Sequence, residues 1–156
     1  MEMYMKTLQK NIRLCLTVTL AAAAVLIAGC SGMHNAKSSM NTAPLALTGA
    51  QEVPPVQTMA SGQSTVTIAD DKSVSGSITT SGVVGTMAHV HISKAVGTNG
   101  PVIVPLTKTA DNVFTVPDGA KISDDQYAAY KAGLLYVNVH SAANPGGEIR
   151  ANLPGK

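Results

Sequence analysis

Cysteine is nearly absent: the chain has two, Cys15 and Cys30, both within its first thirty residues. A domain built from the rest has no disulfide, no thiolate metal site and no cysteine nucleophile. Tryptophan is missing, and the other aromatics are one Phe and four Tyr. A core without large rings must be packed from aliphatic and small side chains, and the abundance of Val, Thr and Ser favours strands over helices. Excess charge is lacking too. Lys6, Lys10 and Arg13 against Glu2 account for all of the net +2, so the chain from Cys30 onward is balanced. No basic patch remains to mark a nucleic-acid surface, which argues against a nucleic-acid partner. At 156 residues there is room for one domain and its appendages, not for two cores.

The N-terminal charge has its own explanation. A basic segment precedes an apolar run over residues 14–28, followed by Gly29 and Cys30. That run is shorter than the ~20 residues a spanning helix requires, which weighs against an uncleaved anchor, and it ends in the small residues a processing peptidase accepts. Leu26-Ile27-Ala28-Gly29-Cys30 resembles a bacterial lipobox. The resemblance implies a signal peptide over residues 1–29, lipidation at Cys30 and a membrane partner through the lipid. Ser31 rather than Asp at the next position implies outer-membrane sorting of an exported protein. Residues 30–44 are small, polar and aperiodic, as befits a flexible tether; His34 in it reads as a solvated side chain.

From Leu45 the chain alternates short β-branched segments with turn residues. The spacing predicts an all-β domain over residues 45–154, a single antiparallel β-sandwich of Greek-key type with about eight strands and one short helix. The strands are expected over 45–49, 62–69, 73–80, 86–93, 102–106, 113–116, 134–140 and 148–153, with Asp70-Asp71-Lys72 turning a hairpin. Pro54-Pro55 and residues 97–101 interrupt the ladders. Ser123-Asp124-Asp125-Gln126 has capping-box spacing, and Gly133 can close the helix it opens. Tyr127 and Tyr130 fall on one face of that helix, placed to pack against the strands.

Two stretches carry chemistry. In Leu134–Leu153, Leu135, Val137 and Val139 alternate with Tyr136, Asn138 and His140, and Ile149 and Ala151 alternate with Glu148 and Arg150. A strand that buries its aliphatic set displays the other set together, so His140, Glu148 and Arg150 are expected to share a surface. In Ala88-His89-Val90-His91-Ile92 the same period puts both imidazoles on one face. With His140 from a neighbouring strand they would make a three-nitrogen set suited to one copper or zinc ion, and Glu52 or Glu148 would serve as an oxygen ligand or orienting group. The competing reading is structural, with the histidines as polar surface residues or hydrogen-bonded partners of Glu52 and Glu148.

Four segments in order carry a family resemblance: Leu47-Thr48-Gly49-Ala50-Gln51-Glu52-Val53-Pro54-Pro55; Ala88-His89-Val90-His91; Asn99-Gly100-Pro101-Val102; and Tyr136-Val137-Asn138-Val139-His140 through Asn144-Pro145-Gly146-Gly147-Glu148-Ile149-Arg150. Together they resemble the CHRD domain, the module named from chordin. The resemblance implies an extracytoplasmic all-β domain and maps its recurrent polar positions onto Glu52, His89, His91, His140, Glu148 and Arg150. The stretch Ile92-Ser93-Lys94-Ala95-Val96-Gly97 departs from the family pattern, which usually has an extra Gly or Pro near Lys94–Ala95. A fragmentary likeness to copper/zinc superoxide dismutase stops short of its second metal, disulfide and long loop. Three function classes follow: a lipoprotein binding copper or zinc; an adhesion module with a protein or glycan partner; and, with least support, an enzyme working by mononuclear metal redox chemistry or by a Glu–His pair, since no activated Ser or Cys motif is present.

Overall fold

Alternation of small and β-branched residues produces strands wherever one set can be buried, and most of the domain is built that way. The computed structural model describes residues 43–156. The expected signal peptide, Cys30, His34 and all but the last two residues of the expected tether lie outside the described residues. In chain order the strands are β1 (Leu45–Thr48), β2 (Ser61–Ser64), β3 (Thr67–Ile68), β4 (Val74–Ser75), β5 (Ser77–Ser81), β6 (Gly85–Ile92), β7 (Val102–Pro105), β8 (Thr107–Ala110), β9 (Val113–Thr115), β10 (Leu135–Ser141) and β11 (Ile149–Asn152). One α-helix, α1 (Asp124–Lys131), lies between β9 and β10.

Nine strands form one antiparallel sheet in the order β7-β6-β10-β11-β1-β2-β5-β9-β8, and β3 pairs with β4 apart from it. The ends of that order, β7 and β8, are consecutive in the chain with only Leu106 between them. The Leu106 N–H donates to the Ala88 carbonyl of β6 at 2.9 Å. The sheet therefore curls until its two edges share one stretch of backbone, which leaves little free edge for another chain to pair with. Inside the curl, Leu47, Ile78, Val90, Phe114, Val137 and Ile149 have no exposed surface; each such burial contributes roughly 1.5–3 kcal/mol.

The all-β antiparallel class with one short helix is what the patterning implies, but the strands are finer. The stretches 62–69 and 73–80 each divide in two. Gly76 shows why: its φ of +114° and its approach to the Thr65 carbonyl, which a Cβ would strike, bend both strands out of the main sheet together. Beyond the bend β3 and β4 pair with each other through the Asp70-Asp71-Lys72 turn. β8 continues β7 although Thr107-Lys108-Thr109-Ala110 is exposed throughout. At α1, Ser123 and Gln126 complete the capping box, and the Gly133 N–H donates to the Tyr130 carbonyl at 2.9 Å. Tyr127 and Tyr130 pack against the core as their spacing implies.

The strand that positions the site is β10, buried at all seven residues. Its Leu135, Val137 and Val139 face the core. Its other face, Tyr136, Asn138 and His140, is covered by loops, so a second, polar layer lies outside the aliphatic one.

Candidate metal centre

Ala88 and Val90 of β6 are buried in the core, which turns His89 and His91 to the outer face. β10 lies alongside, with Asn138 opposite His89, Tyr136 opposite His91 and His140 opposite Met87. His140 is thereby one diagonal step from His89. The two rings touch through His89 Nδ1 and His140 Nε2 at 2.9 Å, and ligand atoms of all three histidines lie within 4.8 Å of one another. The expected juxtaposition of His89, His91 and His140 is present.

Backbone carbonyls set the ring tautomers. His140 Nδ1 is 2.9 Å from the Pro145 carbonyl and His91 Nδ1 is 2.9 Å from the Gly100 carbonyl. A carbonyl only accepts, so each Nδ1 carries the hydrogen and each Nε2 keeps its lone pair. His140 Nε2 accepts from His89. His91 Nε2 is buried and makes no hydrogen bond of normal geometry, with the Asn138 side chain as its polar neighbour. Burial lowers all three pKa values; His89, with its two imidazole neighbours adding to the burial effect, falls to about 4. The rings are neutral near pH 7, the protonation state in which imidazole ligates a metal.

Around the histidines the polar layer continues. Tyr136 stacks on His91 with centroids 4.8 Å apart and planes inclined by 7°, and the Arg150 guanidinium carbon lies 3.5 Å from the Tyr136 centroid. Arg150 donates to Asn152 Oδ1 at 2.9 Å, Asn99 Oδ1 at 3.2 Å and the Thr98 carbonyl at 3.4 Å. Asn99 in turn donates to the Val53 carbonyl at 2.6 Å, joining two covering loops. Glu52 is buried; its pKa is raised by that burial, against the pull of the Arg150 charge and Asn138. A Cβ on Gly147 would strike Glu52 Oε1 and come within 2.7 Å of Asn138 Nδ2, and the φ of +138° there also favours glycine. The bare backbone makes room for both side chains.

Glu148 has a different place. Its carboxylate accepts from Ser141 and, at 2.7 Å, from Thr58, and the Ser141 bond lowers its pKa. Ser141 Oγ also accepts from the Asn144 N–H at 3.0 Å, so this trio closes the β10–β11 connection. His140, Glu148 and Arg150 thus belong to one polar layer, with Glu148 at the hairpin loop and Arg150 against Tyr136. Asn138, unremarked in the sequence beyond its place in the alternation, lies at the centre: it is opposite both His89 and Arg150 and beside Glu52. Among the described residues the buried side-chain atoms without a hydrogen bond of normal geometry are Glu52 Oε1, His91 Nε2 and Asn138 Oδ1. All three belong to this layer, and all three offer electron pairs. Such a set suits a cation or a water better than an anion.

The family model for the CHRD domain matches residues 43–153. No curated protein and no solved structure matches the chain.

Proposed function

The chain belongs to the CHRD-domain family, and on that frame we propose an extracytoplasmic, lipid-anchored protein that binds one copper or zinc ion through His89, His91 and His140. The observation that carries the reading is the buried His91 Nε2, which makes no hydrogen bond of normal geometry. Its lone pair faces a site already holding two more imidazoles, and leaving a buried acceptor unpaired costs about 1–3 kcal/mol. A metal ion offsets that cost and replaces the single hydrogen bond between His89 and His140. The carbonyls of Gly100 and Pro145 already orient the other ring nitrogens, the arrangement in which metal-ligating histidines are usually held. Glu52, Asn138 and Arg150 stand around the site as orienting groups.

The test is metal content. The purified protein is stripped with chelator, reloaded with copper or zinc, and compared with His91→Ala by inductively coupled plasma mass spectrometry. One equivalent in the parent and a marked loss in the variant is the expected outcome, with metal raising the parent's stability by ~2.7 kcal/mol at a hundredfold excess over the dissociation constant. Equal content in the two proteins would favour the alternative, an interaction module in which the His89–His140 hydrogen bond and the carbonyl contacts only hold loops.

Attachment through Cys30 rests on the lipobox resemblance and has a separate test. Cys30→Ser is expected to lose labelled-lipid incorporation and to leave the membrane fraction; continued partition with membranes would refute the anchor.

A further inference from the structure

We propose that Met87 supplies a thioether ligand beside the three imidazoles and so makes this a copper site able to hold Cu(I). The inference rests on the metal-binding reading above and deepens it from copper or zinc to copper. β6 alternates Met87, His89 and His91 on its outer face against Ala88 and Val90 in the core. Met87 is also the direct cross-strand partner of His140, a relation that brings Cβ atoms to about 4.5–5.5 Å. It is therefore adjacent to His89 along one strand and to His140 across to the next.

Its exposure fits a ligand at the rim. His91 and His140 are buried and His89 is partly so, whereas Met87 is 50% exposed on an internal strand of the sheet. A thioether on three rotatable bonds can swing over the solvent-facing side of the cluster, the side that the buried imidazoles do not close. Thioether sulfur is a soft donor that favours Cu(I), while zinc is held by imidazole, thiolate and carboxylate. A set of three imidazoles and one thioether can retain copper in its reduced state without excluding the oxidised one.

The experiment compares the full-length protein with Met87→Leu, a swap of similar volume at a half-exposed position. Cu(I) affinity is measured anaerobically by competition with a chromophoric chelator, Zn(II) affinity by a parallel competition, and the copper environment by X-ray absorption on the Cu(I)-loaded proteins. The expected result is a sulfur scatterer in the parent that is absent from the variant. Cu(I) affinity should fall about tenfold, equivalent to ~1.4 kcal/mol, with Zn(II) affinity little changed. A nitrogen-only Cu(I) spectrum in the parent, a sulfur signal that persists in Met87→Leu, or unchanged Cu(I) affinity would overturn the role of Met87 while leaving the histidine site standing. Failure of the parent to take up any metal would overturn both.

Discussion

Arg150 shows how a single residue can be costly to bury and still be required. It is 1% exposed, and no carboxylate forms an ion pair with it among the described residues. Its charge is met instead by the Tyr136 ring, by neutral oxygens of Asn152, Asn99 and Thr98, and by Glu52 at longer range. The planar fork suits this set: it spans one strand residue, Asn152, and the loop residues Thr98 and Asn99 at once while one face lies on the tyrosine. Lysine keeps the charge but has neither the fork nor the flat face. Arg150→Lys is therefore expected to destabilise the protein by about 2–4 kcal/mol, from lost hydrogen bonds to a charged group and lost cation–π contact. Equilibrium urea denaturation measures this, and an unchanged midpoint with unchanged slope would show that the guanidinium geometry is dispensable. Because Tyr136 stacks on His91, the effect should also reach the imidazole.

At the scale of elements, the hairpin of β10 and β11 and the strand β6 show what alternation reveals and where it stops. Period two in Ala88-His89-Val90-His91 and in Tyr136-Val137-Asn138-Val139-His140 separates an aliphatic face from a polar one, and the core takes the side this implies. Neighbour relations are another matter. β6 and β10 lie more than forty residues apart in the chain and pair through a sheet order no local pattern contains; the His-x-His period and the one further histidine after residue 44 suggested the cluster, and the register makes it specific. Covering loops are equally hard to read. Alternation makes the second faces of β10 and β11 polar, yet loops cover them, so Asn138 and Arg150 are interior groups instead of surface ones. Glu148 likewise looks like an orienting acid until Thr58, ninety positions away, and Ser141 are seen to occupy its carboxylate. Thr107-Lys108-Thr109-Ala110 has no apolar period at all; it is a strand because its backbone completes the ladder with β9.

For the molecule as a whole, the curled sheet supports two layers with opposite responses to acid. The aliphatic core is indifferent to protons, whereas the polar layer holds three neutral imidazoles whose pKa values are lowered, His89 to about 4 against a usual 6.5. In the unfolded chain these rings take up protons near pH 6.5, before the folded state can. Between that value and the folded ones the unfolded state binds more protons, so the stability they contribute is full above about pH 6.5 and is lost as pH falls through the window. Glu52 has the opposite sign, since its raised pKa lets the folded state take up a proton first, but it is one group against three. The lowered carboxylates share the sign of the histidines: the exposed Asp70, Asp71 and Asp124 begin to lose their contribution only near their ordinary 3.8, and the buried Glu148 near its ordinary 4.5, in the lower part of the histidine window. Metal-free protein should therefore melt at a lower temperature at pH 4.5 than at pH 7, by roughly 4–8 °C for each ~1 kcal/mol lost, and His89→Gln with His140→Gln should flatten the profile. Copper-loaded protein should fall more steeply, because protons and metal compete for the same nitrogens. Calorimetric melts across this range, with chelator and with copper, measure both curves; a flat metal-free profile would show that the imidazoles are not held neutral by the fold.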